Sequence, residues 1–243
     1  MTTVAELQRQ LDAARVEMQE FTYSVSHDLR APLRHINAFA QLISEDWPDM
    51  PAEVVGHLAT IRQSAQLLAQ QLEGLTMLSR LGQQTLQLQA VDMVALAQAV
   101  ADDLTAQHAQ QTVQWQLAHD VPNVWADATL LRQVLVHVLD NALKFSRGRE
   151  VAQVVLTWQT LASGQFQISI ADKGVGFAPE QADMLFKVFG KLHSAREFSG
   201  LGLGLVASRK IMDRLGGAIG IDGAVGQGCC VTLDLQPEFK THG

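Results

Sequence analysis

Apolar residues recur at alternating steps of four and three from the start of the chain: Leu7, Leu11, Ala14, Met18, Phe21 and Val25, then Leu29, Leu33, Ile36, Ala40 and Ile43. This spacing gathers one apolar stripe on a helix and predicts a helical segment from about Val4 to Glu45, narrow enough at its start for a coiled coil. The steps Val25 to Leu29 to Leu33 are both of four, a stutter that locally unwinds a coiled coil, so a two-stranded start is expected to open into a wider bundle there. Asp46-Trp47-Pro48-Asp49-Met50-Pro51 then breaks the helix. A second helix is predicted by Val54, Leu58, Ile61, Ala65, Leu68, Leu72 and Leu75, which step four and three again. The expectation is a helical hairpin. One hairpin cannot cover both stripes, so two chains are expected to combine theirs into a four-helix bundle, the alternative being packing against the rest of the same chain.

From about Leu81 the pattern changes. Gly82 and a Gln-rich stretch lead into mixed elements, which sets the expected domains at 1–82 and 83–243. Strands are predicted near 86–91, 113–117, 124–125, 151–159 and 166–171, with a final pair near 218–222 and 229–235. Helices are predicted over 93–107, 128–145 and 203–215. The fold class expected is an α-helical hairpin followed by an α/β domain. The stretch from Lys173 to Gly200, bounded by glycines and containing Pro179, has the make-up of a mobile lid.

Composition narrows the function classes. With 243 residues, 47% of them hydrophobic, the chain can bury a substantial core. A formal charge of -7 with no run of Lys and Arg argues against a nucleic-acid partner and favours soluble ones. Cys229 and Cys230 are strand neighbours that should point to opposite faces, so no disulfide is expected between them, in keeping with a reducing cytoplasm. No stretch has the length of a membrane-spanning helix, and Met1-Thr2-Thr3-Val4 lacks the features of a signal peptide, so no membrane contact is expected.

His27 lies two residues past Val25, off the apolar seam, so its imidazole is expected in solvent with Asp28 beside it. Ser26, His27 and Asp28 do not form a hydrolase triad, because consecutive helical side chains point apart and cannot converge on one substrate atom. A solvent-facing nucleophile with an adjacent carboxylate remains, just ahead of Pro32.

The run Ser24-Val25-Ser26-His27-Asp28-Leu29-Arg30-Ala31-Pro32-Leu33 resembles the phosphoacceptor box of sensor histidine kinases. The resemblance implies that His27 takes the terminal phosphoryl group of ATP on Nε2 while Asp28 holds the Nδ1 proton. Imidazole suits this role because it titrates near neutrality and is available as a neutral nucleophile. It further implies a homodimer through the hairpin, a GHKL-type ATP-binding domain, ATP and Mg²⁺, and a response-regulator receiver domain as the partner that accepts the phosphoryl group on an aspartate.

Three further segments carry the resemblance. In Leu130 to Ser146, His137, Asn141 and Lys144 share a helical face, which resembles the N box; the resemblance assigns Mg²⁺ to the amide oxygen of Asn141 and phosphate to Lys144. Asp172-Lys173-Gly174-Val175-Gly176 resembles the G1 box, implying that Asp172 accepts from the adenine amine and prefers ATP over GTP, with Gly174 and Gly176 allowing close approach. Gly200-Leu201-Gly202-Leu203-Gly204 resembles the G2 box, whose amides meet phosphate at a helix N-terminus. Between the last two, Leu185 to Ser194, including Lys191, resembles the F box of the lid, and Gly226-Gln227-Gly228 resembles a closing box. The wording Lys191-Leu192-His193-Ser194 and the serines of the histidine box resemble the phytochrome-related branch.

Two positions depart from the family pattern. His137 stands where Asn is usual, which bears on Mg²⁺ coordination and pH dependence. Ala31 stands where many members place Thr or Asn, which implies weak phosphatase activity toward the partner regulator. Two competing classes remain: a GHKL-type ATPase, disfavoured by His137 where those enzymes place Glu, and a catalytically weakened dimeric scaffold. The heptads at the very start imply that a sensory module precedes them.

Overall fold

The computed structural model describes residues 4–82, 84–193, 197–198 and 200–237. Contacts divide the chain into two compact units, Met1–Gln84 and Thr85–Gly243.

The first unit is a hairpin of α1 (Val4–Asp46) and α2 (Ala52–Leu81). Pro51 opens α2 and Gly82 closes it with an N–H to the Ser79 carbonyl at 3.1 Å. The apolar seam of α1 splits. Leu33 and Ala40 are buried, with Leu33 packed on Ala65 and Leu72 of α2. Leu29, Ile36 and Ile43 remain 42–46% exposed, as do Ile61 and Leu68 of α2 at 44–45%. The reason is geometric: an i, i+3, i+4 stripe is wider than the seam one partner helix can cover. Pro32 sits inside α1 without ending it, and because it has no N–H the carbonyl of Asp28, four residues back, is left without its helical donor.

The second unit is a two-layer α/β domain. Its main sheet has the order β2 (Val113–Leu117), β4 (Ala152–Thr160), β5 (Phe166–Asp172), β7 (Gly228–Leu235), β6 (Ala218–Ala224). β2 and β4 run parallel, Val113 opposite Ala152, and the remaining pairs are antiparallel. One face is apolar: Val154, Leu156, Ile168, Ile170 and Leu233 are buried by strand alternation. Against it lie α3 (Met93–Gln107), α4 (Ala128–Phe145) and α6 (Gly204–Arg214). The other face carries polar pairs, Gln114 with Gln153 at 3.1 Å, Gln159 with Gln167 at 2.8 Å and Gln167 with Asp234 at 2.9 Å.

α4 is the central piece. It buries Leu130, Leu131, Val134, Leu135, Val138, Leu139, Ala142 and Leu143, so only a strip including His137, Asn141 and Lys144 is left to face a cleft. Its start is fixed by Asp127, a buried cap that accepts from the N–H groups of Thr129 and Leu130 at 3.0 and 3.1 Å and from Gln87 at 3.0 Å. Two features go beyond the sequence expectations. β1 (Leu88–Val91) pairs with β3 (Val124–Asp127) in a separate antiparallel sheet, a pairing that local pattern does not encode. A 3₁₀ turn (Pro179–Gln181) and the single-turn α5 (Ala182–Leu185) stand where only irregular chain is expected, because one turn is too short to show a period.

Candidate nucleotide site and phosphoacceptor

In the hairpin, Ser26 is 2% exposed and turns inward, while the His27 and Asp28 side chains are 68% and 76% exposed. Asp28 Oδ1 lies 3.3 Å from His27 Nδ1. A carboxylate on Nδ1 favours the tautomer that leaves Nε2 with its lone pair free for attack.

In the α/β unit, the last turns of α4 meet three loops. Lys144 donates to Asn141 Oδ1 at 3.0 Å and lies 4.5 Å from the centre of the Phe145 ring. Gly200 borders the same ammonium: a Cβ there would sit 3.4 Å from Lys144 Nζ. Burial holds the Lys144 ammonium below its ordinary pKa; Asp140 opposes this, and the cations Lys191 and Arg147 add to it. Lys144 and Lys191 therefore concentrate positive charge beside Asn141, with Asp140 as a counterweight.

His137, one turn earlier, is not free in the cleft. Its ring packs against Gly204 and its Nδ1 is 3.3 Å from Ser208 Oγ on α6. Burial lowers its pKa, with Asp140 pulling the other way, so the ring is neutral at neutral pH.

Asp172, at the end of β5, is 7% exposed. Its Oδ1 accepts from Gly174 N at 2.8 Å and Cys229 N at 3.3 Å, and its Oδ2 accepts from Cys229 Sγ at 2.9 Å. Burial raises its pKa, and these three hydrogen bonds oppose the shift. The Cys229 thiol is itself pushed far up by burial and by the Asp172 charge, so it stays protonated and a donor. Both cysteines are free.

The loop after Asp172 admits no side chains at two points. A Cβ on Gly174 would lie 2.5 Å from the Phe145 carbonyl oxygen, and Gly176, at φ +61°, abuts the carbonyl of Ala224. Val175 donates to Phe145 O at 3.0 Å and accepts from Gly226 N at 2.7 Å. Arg149 adds Nε to Lys173 O at 3.0 Å and Nη2 to Gly174 O and Gly226 O at 3.1 and 3.0 Å.

The glycine run that opens α6 completes the cleft. Gly200 and Gly202 have φ of +128° and +71°, and a Cβ on Gly202 would meet Gly190 O at 2.6 Å, so the lid lies directly on this run. Leu201 is half-buried and Leu203 buried, and the latter, at the N-cap of α6, provides no side-chain hydrogen bond. With Gly204 opening the helix, its first N–H groups are without a side-chain cap, which is how an anion-binding helix terminus is built. From α6, Arg209 stacks 4.7 Å from the ring of Phe186 in the lid and donates to the Phe186 carbonyl at 2.9 Å. Phe145, His193 and Phe198 form an aromatic cluster with centroids 4.9–5.6 Å apart. Ser194 of the F box lies outside the described residues.

The structure thus brings Asn141, Lys144, Lys191 and Gly200 together, sets Gly202 and Gly204 at the head of α6, and places Asp172, Gly174 and Gly176 around the end of β5. His27 and Asp28 belong to the other unit. The sequence reading missed Cys229, Arg149 and Ser208. Cys229 follows the closing box directly and was within reach of it; Arg149 binds only backbone carbonyls and leaves no pattern. The donor set fits a magnesium nucleotide rather than a resident metal. Among the described residues no group of three His, Cys, Asp or Glu could hold a cation, and the Asn141 amide oxygen suits Mg²⁺ only where phosphates and waters supply most of its shell.

Comparison with known proteins agrees with both halves. Residues 17–84 match the His Kinase A (phospho-acceptor) domain, and residues 126–238 match the histidine kinase-, DNA gyrase B- and HSP90-like ATPase family. The chain belongs to the sensor histidine kinases. This kinase core is 32% identical over 235 residues to sensor protein GacS of Pseudomonas syringae pv. syringae, covering 93% of the chain and 26% of that protein. It is 25% identical to cyanobacterial phytochrome B of Nostoc sp., covering 96% of the chain and 31% of that protein. The chain thus spans between a quarter and a third of the length of these relatives. Among solved structures, full-length ShkA in complex with AMPPNP superposes with a TM-score of 0.63 at 28% identity, covering 90% of the chain and 46% of ShkA. Acinetobacter baumannii histidine kinase AdeS shares the fold, with a TM-score of 0.57 at 22% identity over 88% of the chain and 98% of AdeS. No helix among the described residues is long and apolar enough to cross a membrane.

Proposed function

We propose that this kinase core binds ATP with Mg²⁺ in the α/β unit, transfers the γ-phosphoryl to Nε2 of His27, and passes it to an aspartate of a response-regulator receiver. The observation that carries the reading is the exposed His27 imidazole with Asp28 on Nδ1, in a chain that also holds a glycine-lined, uncapped helix terminus flanked by two lysines.

Each residue has a distinct part. Asp172 accepts from the adenine amine, and its buried position excludes water from that contact. Gly174 and Gly176 let the loop after Asp172 pack against the carbonyls of Phe145 and Ala224, which holds it in the shape that presents the carboxylate to the base. Gly200 through Gly204, with Leu201 and Leu203 turned partly into the fold, aim backbone N–H groups at the phosphates. Lys144 and Lys191 neutralise them, and Lys144 releases the Asn141 oxygen for Mg²⁺ by turning to phosphate. Mg²⁺ held at the Asn141 oxygen would supply charge neutralisation to the triphosphate. His27 attacks in line as the P–O bond to ADP breaks, and Asp28 keeps the Nδ1 proton. The neutral His137 ring steadies α6 through Ser208, and a His in place of the Glu of related ATPases disfavours water as the acceptor. Dependence on ATP places this activity in the cytoplasm.

Incubation with ATP labelled at the γ- or the α-phosphate tests this reading. Acid-labile, alkali-stable label from the γ-position alone supports it; release of inorganic phosphate without protein label contradicts it.

The exposed halves of the two seams point to a homodimer through the hairpin. Glutamate at Ile36 and Ile61 together should place charges inside that interface and convert the dimer to monomer, shifting the dissociation constant at least about a hundredfold. Sedimentation equilibrium measures the shift. An unchanged dimer would remove the four-helix bundle from the account.

Acid should weaken ATP binding early. Ionised Asp172 is a stronger acceptor for the amine than the carboxylic acid, and burial raises its pKa, so protonation begins at a higher pH than for an ordinary carboxylate. Affinity should be level near neutrality and fall as pH drops toward that raised value. Calorimetric titration at stepped pH would read this, and an affinity that declines only within the usual carboxylate range would contradict the burial effect.

A further inference from the structure

The geometry points to Arg149 as a positioning residue for base recognition, a single guanidinium that sets Asp172 by tying together the two loops that flank it. Arg149 lies four residues past the end of α4, in a turn closed by its own N–H on the Ser146 carbonyl at 3.1 Å. From there the side chain donates to three backbone oxygens, Lys173 O at 3.0 Å, Gly174 O at 3.1 Å and Gly226 O at 3.0 Å. The first two belong to the residues directly after Asp172. The third belongs to the β6–β7 turn, three residues before Cys229, whose thiol and N–H hold both Asp172 oxygens. Every donor that orients the carboxylate therefore comes from one of two segments, and Arg149 spans both.

The arrangement demands arginine. Nη2 bridges the two segments at Gly174 O and Gly226 O while Nε, fixed in the same plane, takes Lys173 O, so one rigid fork sets three oxygens, a geometry that a lysine ammonium on its flexible stem does not impose. Nor is the side chain a stability element in the ordinary sense. Arg149 is exposed, and without it the two loops are still joined by Gly226 N to Val175 O at 2.7 Å, with the first tied to the end of α4 by Val175 N to Phe145 O at 3.0 Å. Loss of Arg149 leaves these bonds and the buried sheet intact, so the fold persists while the loops gain freedom. An Asp172 that samples several positions meets the adenine amine less often, which weakens ground-state binding and spares the chemical step at His27.

This inference rests on the reading that Asp172 meets adenine, and the experiment separates the two. Autophosphorylation kinetics of wild type, Arg149→Ala, Arg149→Lys and Glu150→Gln would be measured against ATP and GTP, with melting temperatures for each. For both Arg149 variants KM for ATP should rise about tenfold, kcat should stay within about twofold, and the preference for ATP over GTP should shrink in step. Melting temperatures should match wild type, lysine should not rescue, and Glu150→Gln should behave as wild type. Wild type that shows no preference for ATP over GTP overturns the reading of Asp172 itself. Wild type that prefers ATP, with Arg149→Ala showing the same KM and the same preference, overturns the Arg149 inference alone, as does rescue by lysine or a fall in kcat with KM unchanged. Should Arg149→Ala prove unstable, Arg149→Lys carries the same comparison.

Discussion

Replacing His27 by glutamine is expected to abolish phosphoryl label on the protein while ATP affinity stays within about twofold of wild type. Glutamine keeps a polar, helix-favouring side chain at an exposed position, so stability should move by less than about 0.5 kcal/mol. It has no nucleophilic nitrogen, so the loss should be complete rather than partial. The neighbouring hydroxyl cannot take over, because Ser26 is 2% exposed and faces the interior of the hairpin. Denaturing gels after incubation with γ-labelled ATP, paired with calorimetry, check both halves. Residual label at another residue would mean that the phosphoacceptor has been misplaced.

The second large effect belongs to Asp172. Removing a buried, charged acceptor from a ligand contact costs about 1.5–3 kcal/mol, so Asp172→Ala should weaken ATP binding by roughly ten- to a hundredfold. GTP, which has a carbonyl where ATP has its amine, should lose little. The variant also leaves the Gly174 N–H, the Cys229 N–H and the Cys229 thiol without their acceptor, so a lower melting temperature is expected alongside. Asp172→Asn separates the two effects. It keeps one acceptor oxygen for the loops while its amide can donate to a guanine carbonyl, so discrimination between ATP and GTP should narrow even if the fold is hardly disturbed. Equal loss of ATP and GTP binding in both variants would show that Asp172 supports the cleft without reading the base.

Much of this architecture is legible in the chain because it rests on local spacing. The heptads give α1 and α2, the break between them is written in Pro48 and Pro51, and α4 follows from its apolar stripe. The glycine run ahead of α6 is legible too, not from G-x-G-x-G alone, which is a weak signal, but from its place in order after the N-box and G1-box segments. What the sequence withholds is pairing at a distance. Nothing local states that β1 joins β3, that half of the α1 seam is consumed by α2 while Ile36 and its neighbours remain exposed, or that His137 Nδ1 meets Ser208 on α6. Arg149 was hidden for the same reason, and Cys229 was signalled only by its place beside the closing box. Their partners are a carboxylate 57 residues away and three main-chain oxygens, contacts that exist only once the sheet has formed.

Phosphorus NMR of the protein after reaction with Mg·ATP, recorded under alkaline denaturing conditions, tests the central claim most directly. The account predicts a single resonance at the position of Nε2-phosphohistidine, present in wild type and missing in His27→Gln. A spectrum with only ADP and inorganic phosphate, or a protein resonance that survives the substitution, would contradict it.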